Sequence, residues 1–275
     1  YDALGRRTVT RFADGTTQQT TYDALGRRIS ETDQAGKVRK FAYDDLGRLT
    51  GVELPAVPDP RNGYRLTAPR YGYTYAPNGV LTNIRDAMGR ETAFAYDFLN
   101  RPIARTLPMG QSEETEYDTL GRVARKTDFK GQTTDFVYDT LGRLSERLMY
   151  PAGGTTSVSS VSYAYDSLGR LTNVLTRVRT NGAWVVSRSE TSEYDSENRL
   201  VSVISPEGTL HYEYDPTTGR KTRAYTDAGT VTRYAYDSEG RLDTVSAVST
   251  NEAGETVTND FRYTYTVVGS RESVA

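Results

Sequence analysis

Aromatic residues two positions apart recur along the chain, at Phe41/Tyr43, Tyr73/Tyr75, Phe94/Tyr96, Phe136/Tyr138, Tyr163/Tyr165, Tyr212/Tyr214, Tyr234/Tyr236 and Tyr263/Tyr265. That separation puts both rings on one face of a β-strand. Each pair is followed at once by a short stretch that most often starts with Asp and closes with Gly or Asn. The second Tyr anchors a phrase that reads YDALGRR at residues 1–7 and again at 22–28. Anchors, intact or worn, sit at 1, 22, 43, 75, 96, 117, 138, 165, 194, 214, 236 and 265. The modal interval is 21 residues, so the chain reads as about twelve copies of one unit.

The fourth residue after each anchor carries the most information. It is Gly at 5, 26, 47, 79, 121, 142, 169, 240 and 269, and Asn at 100 and 198, while one unit has Thr218 followed by Gly219. Gly and Asn are the residues that most readily take positive φ. Asp beside the Tyr suits the first position of a type I turn, so Asp-x-x-Gly predicts a hairpin connection closed by a left-handed residue. A second turn of similar design lies between anchors, as at Asp33–Gly36, Asp128–Gly131 and the shorter Asp227-Ala-Gly229. In the unit from Asp23 to Asp44 this predicts strands near 27–32 and 37–43. Stacked side by side, the units should bring their rings into a ladder on one shared face. The expected fold is all-β: one continuous array over 1–275 of stacked antiparallel β-hairpins, forming a long curved or spiralling sheet.

Longer intervals read as stretched units. Residues 171–194 hold two β-rich runs around Asn181-Gly182, a strong hairpin signal, and 242–265 resemble them with Glu252-Ala-Gly254 near the tip. Residues 54–70, with Pro55, Pro58, Pro60, Pro69 and Asn62-Gly63, predict an irregular surface loop.

Composition narrows the partners. The chain has 275 residues, enough for a real core, and its 34 basic and 36 acidic side chains leave a net charge of −2. That balance gives no electrostatic reason to expect nucleic acid or an anionic membrane as partner. There is no cysteine, no apolar run of membrane-spanning length and no apolar leader; the chain begins inside its own motif, as a window on a longer array would.

Candidate chemistry is thin. The turn aspartates (Asp2, Asp23, Asp44, Asp97, Asp118, Asp139, Asp166, Asp195, Asp215, Asp237) are near-equivalent, whereas acid–base catalysis needs a differentiated pair and calcium needs several oxygens converging in one loop. Turn capping accounts for them. The arginines after the Gly could grip anionic glycans or phosphates, pair with the turn aspartates, or stack on Tyr rings of adjacent repeats. His211 is the sole histidine and Trp184 the sole tryptophan. The first reads as a strand residue near the surface. The second reads as a packing residue between hairpins and is the one weak candidate for a sugar contact. No phosphate loop, dinucleotide fingerprint or nucleophile elbow is present, so neither catalytic nor metal residues nor a cofactor is expected.

Tyr-Asp-x-x-Gly-Arg with a period near 21 resembles the YD repeats of the RHS (rearrangement hot spot) family, and the resemblance covers essentially the whole chain. It is carried by Tyr22, Asp23, Gly26 and Arg27; Tyr43, Asp44, Gly47 and Arg48; Tyr96, Asp97 and Asn100; Tyr138, Asp139, Gly142 and Arg143; Tyr165, Asp166 and Gly169; and Tyr236, Asp237 and Gly240. The resemblance implies a hollow β-shell or extracellular scaffold, secreted or at the cell surface, often enclosing a C-terminal toxin domain. Its partners would be flanking repeats and that enclosed domain. Carbohydrate binding has also been attributed to such repeats and is the alternative reading. The family's Asp-Pro-x-Gly-rich self-cleaving segment has no match here, since Asp215-Pro216 lies in an ordinary repeat turn. Open strand edges would further favour end-to-end self-association.

Overall fold

The computed structural model describes residues 1–250, 256–265 and 271–274. The Glu252–Gly254 tip and Gly269 lie outside the described residues. Chain contacts divide the molecule into two compact units, Tyr1–Thr133 and Thr134–Ala275.

The first unit holds β1 (Val9–Arg11), β2 (Thr17–Tyr22), β3 (Arg28–Thr32), β4 (Val38–Tyr43), β5 (Leu49–Glu53), β6 (Val57–Asp59), β7 (Arg65–Thr67), β8 (Arg70–Tyr75), β9 (Leu81–Arg85), β10 (Glu91–Tyr96), β11 (Pro102–Thr106), β12 (Ser112–Tyr117) and β13 (Val123–Thr127). Apart from β6 and β7, each strand pairs antiparallel with the next in chain order, and β5 passes directly to β8. The second unit holds β14 (Thr133–Tyr138), β15 (Leu144–Tyr150), β16 (Ser159–Tyr165), β17 (Leu171–Thr180), β18 (Ala183–Tyr194), β19 (Leu200–Ser205), β20 (Gly208–Tyr214), β21 (Lys221–Thr226), β22 (Val231–Tyr236), β23 (Leu242–Thr250), β24 (Thr256–Tyr265) and β25 (Arg271–Val274). From β15 onward it too is an antiparallel meander. The fold is all-β, because turns recur too often for anything longer than a strand to form between them.

The same irregularity recurs in both units. Thr21 pairs with Ser30 but Tyr22 pairs with Arg28, leaving Ile29 as an extra residue. The register slips in the same way just before Tyr43, Tyr75, Tyr96 and Tyr117, and before Tyr165, Tyr194, Tyr214, Tyr236 and Tyr265. A β-bulge therefore precedes each of these anchors, where it adds twist and re-aims the ring. At three of these bulges the extra residue is a Thr whose hydroxyl donates to the carbonyl just before the Tyr: Thr82 to Thr74, Thr172 to Ala164 and Thr222 to Glu213, at 3.1–3.2 Å.

Three expectations need correction. The segment 54–70 is not irregular throughout, because β6 and β7 form a two-stranded ribbon closed by a 3-10 turn, Pro60–Asn62, and Gly63. Both strands of an isolated ribbon are edges, so Pro58 removes no ladder bond that the ribbon needs. The turn written as Asp227-Ala-Gly229 is not shorter than its siblings; it starts at Thr226, whose carbonyl accepts the Gly229 N–H at 3.0 Å. The large core that the chain length allows is also missing. Among the described residues only Ser160, Val161, Ser202 and Ala224 are buried. Stability must therefore come from ladder bonds and from contacts between successive repeats within each unit.

Candidate functional site: the interlocking turn

The turn at 23–27 shows the device. The Asp23 N–H donates to the Arg27 carbonyl at 2.9 Å, and the Gly26 N–H donates to the Asp23 carbonyl at 3.0 Å. Gly26 has φ 82°, which completes a type I turn followed by a left-handed residue. Asn100 and Asn198 take φ 63° and 66° in the same role. The Asp23 carboxylate then ties the loop together. Its Oδ1 accepts the N–H groups of Leu25 and Arg27 at 3.0 and 2.9 Å, and its Oδ2 accepts Arg27 Nε at 2.6 Å.

Held this way, Arg27 reaches the next repeat. Its guanidinium lies 5.0 Å from the centre of the Tyr43 ring, and Nη1 donates to the Asp44 carbonyl at 2.9 Å. The Tyr43 hydroxyl donates back to the Arg28 carbonyl at 2.9 Å. Asp orients Arg, Arg covers the following Tyr, and Tyr returns a hydrogen bond to the strand beside that Arg. The stack and the returned bond recur from Arg6 to Tyr22, Arg48 to Tyr75 and Arg101 to Tyr117 in the first unit. In the second they recur from Arg143 to Tyr165, Arg170 to Tyr194, Arg199 to Tyr214, Arg220 to Tyr236 and Arg241 to Tyr265.

This geometry replaces the expected ladder of ring on ring. Successive anchors stand two strands apart, roughly 9.6 Å, while stacked rings sit about 4.5–7 Å apart. A planar guanidinium fills that gap. The ring-on-ring contact found among the described residues is His211 on Tyr225, with centroids 4.8 Å apart.

Electrostatics follow from the same contacts. For Asp139 the N–H bond from Arg143 pulls the carboxyl below its ordinary value, partial burial opposes this, and the Arg143 guanidinium adds to the lowering. At Asp23 partial burial is the largest single influence and would raise the value, but the bonds from the Arg27 side chain and N–H outweigh it. Each turn carboxylate is thus committed to its own loop. Changing Tyr165 to Phe removes only the hydroxyl bond to Leu144, so thermal unfolding should show a loss of about 0.5–1.5 kcal/mol. An unchanged melting curve would mean that the returned bond contributes nothing.

The other singled-out residues lie apart from the turns. Trp184 sits near the tip of the β17–β18 hairpin, where Asn181 and Gly182 both have positive φ. The residue is 38% exposed, and the guanidinium of its cross-strand partner Arg179 lies 4.9 Å from the ring centre. One face is therefore covered from within its own hairpin. His211 Nε2 stands 3.1 Å from Asp227 Oδ1, and Asp227 Oδ2 accepts the Thr209 N–H at 3.3 Å. Among the described residues no group of three or more His, Cys, Asp or Glu side chains is placed to hold a metal ion.

Comparison with known proteins bears on the repeat. The model of the RHS Repeat family matches residues 22–56, 117–156 and 194–228. No curated protein matches the chain significantly. Among solved structures, TcdB2-TccC3 without its hypervariable C-terminal region is 14% identical with a TM-score of 0.42, covering 100% of this chain and 19% of that one. The TcdB2-TccC3-Cdc42 structure gives 14%, a TM-score of 0.41 and coverage of 95% and 18%. The Photorhabdus luminescens Tc holotoxin pore gives 14%, 0.38, and coverage of 98% and 18%. The chain thus spans less than a fifth of the length of each. Three segments of the chain thus resemble RHS repeats, and the same Asp–Arg–Tyr interlock is built in repeats between them.

Proposed function

We propose that the chain is a non-catalytic wall segment of a secreted or cell-surface β-shell or scaffold, with flanking repeats as its nearest partners and an enclosed C-terminal domain as its cargo. The observation that supports this reading is the interlock. Turn after turn, the aspartate, arginine and tyrosine are used up in joining one unit to the next, which is what a wall requires and a ligand site does not. Among the described residues no helix is long and apolar enough to cross a membrane.

Electron cryo-microscopy of the natural polypeptide carrying this sequence tests the proposal. The expected image is a strand ladder enclosing separate internal density. Repeats arranged as separate beads, with nothing enclosed, would overturn it. A wall also has graded stability, because each unit contributes its own term and a neighbour term. Removing residues 236–275 should lower the melting temperature by roughly a few degrees and leave the remaining units folded. Complete loss of structure on that truncation would mark an autonomous domain instead.

A further inference from the structure

In Tyr1–Thr133 one step between turns lacks the interlock. At turn 76–79, Ala76 stands where the other units have Asp and Val80 where they have Arg. The backbone loop is retained, with Ala76 N–H donating to the Val80 carbonyl and Gly79 N–H to the Ala76 carbonyl, both at 2.9 Å. What is missing is the side-chain half. Tyr75 on one side and Tyr117 on the other each have a guanidinium over the ring and a hydroxyl bond to the preceding unit. Among the described residues Tyr96 has neither. A neutral link, Asn78 Nδ2 donating to Asn100 Oδ1 at 2.6 Å, crosses the step instead.

The gap does not stand alone. The Pro-rich ribbon of β6 and β7 is inserted just before β8. At the far end of the β9–β10 hairpin, Ala87 and Met88 face that ribbon across an apolar groove of about 410 Å³, lined also by Val57, Pro58 and Pro69. The hairpin therefore lacks the interlock at the Tyr96 end and is bordered by the ribbon at its turn.

We infer that this step is a yielding point built into the array: β9 and β10 part at the Tyr96 end before neighbouring strand pairs of the same unit do, pivoting on the turn that faces the ribbon. The charged stack and the hydroxyl bond, which Tyr22, Tyr43, Tyr75 and Tyr117 all have, are both absent at this step. Local opening populations follow from such differences in contact.

Amide hydrogen exchange on the full chain tests this. Amides paired between β9 and β10 should exchange on the order of tenfold faster than those between β3 and β4, which Arg27 and Tyr43 interlock. Installing the missing pair, A76D with V80R, should slow β9–β10 exchange to the β3–β4 level, while V80L should not. In the reverse direction, R48V should create the same weakness at Tyr75 and speed exchange between β5 and β8 by a similar factor. Equal exchange in the two regions of the unsubstituted protein would overturn the inference. So would protection by V80L equal to that by A76D with V80R, or an R48V variant that exchanges like the parent.

Discussion

Replacing Gly26 by Val is expected to destabilise the protein by roughly 1–3 kcal/mol, because a β-branched residue would be forced to φ 82°. The cost has a second source. A Cβ at this position would lie 3.2 Å from Arg6 Nη1, so the guanidinium that covers Tyr22 must move. For a chain of this size the melting temperature should fall by roughly 2–10 °C. Replacing Gly26 by Asn should cost much less, since Asn100 and Asn198 already hold the left-handed conformation in sister turns. Thermal unfolding of the two variants side by side checks this. If Val and Asn melt together, backbone conformation is not what the position selects.

Acid should weaken the whole array at once. The carboxyls of Asp2, Asp23, Asp44, Asp97, Asp118, Asp139, Asp166, Asp195, Asp215 and Asp237 are all held below their ordinary value. At Asp2 and Asp139 the largest cause is the N–H bond from the arginine four residues on, and at Asp215 it is the N–H bond from Thr218. At the others partial burial is the largest influence and opposes the shift, but the bonds from N–H groups and guanidinium outweigh it. A carboxyl with a lower value in the folded than in the unfolded chain stabilises the fold while it is ionised. That contribution is complete above the unfolded value of about 3.9 and disappears as pH falls through the lower folded values. Melting temperature should stay level from about pH 7 to pH 5 and fall steeply below about pH 4, as the turns lose their ties together. Changing Asp139 to Asn should remove one share of that dependence. A melting temperature that holds down to about pH 3 would show that the carboxylates do not stabilise the turns in their charged form.

Much of the fold could be read from residue types, because each turn depends on local backbone chemistry. Asn100 and Asn198 in place of Gly marked a position chosen for positive φ, and the strands near 27–32 and 37–43 followed from the turns on either side. The role of the arginines was less legible. Residue types left open whether Arg27 pairs with Asp23, stacks on Tyr43 or holds a ligand; in the structure it makes the first two contacts together. That outcome depends on strand register, and register depends on the bulge before each Tyr. No residue announces the bulge, since Ile29, Thr82 and Thr172 look like ordinary strand residues. Segment 54–70 was hidden for a different reason: four prolines argue against a sheet interior, yet a lone ribbon has no interior. Thr226 concealed the start of its turn because it occupies a place where sister turns have Asp.

The interlock also has a direction. In the interlocked repeats Arg comes first in the chain, tied (Arg220 apart) to the Asp four residues before it, and the Tyr it covers comes later, one hairpin downstream. Because a ribosome releases the chain from its N-terminus, an emerging Tyr of this kind meets a guanidinium already fixed by its own carboxylate. The array is therefore suited to growth by accretion, each new hairpin settling on a finished edge without waiting for the C-terminal end.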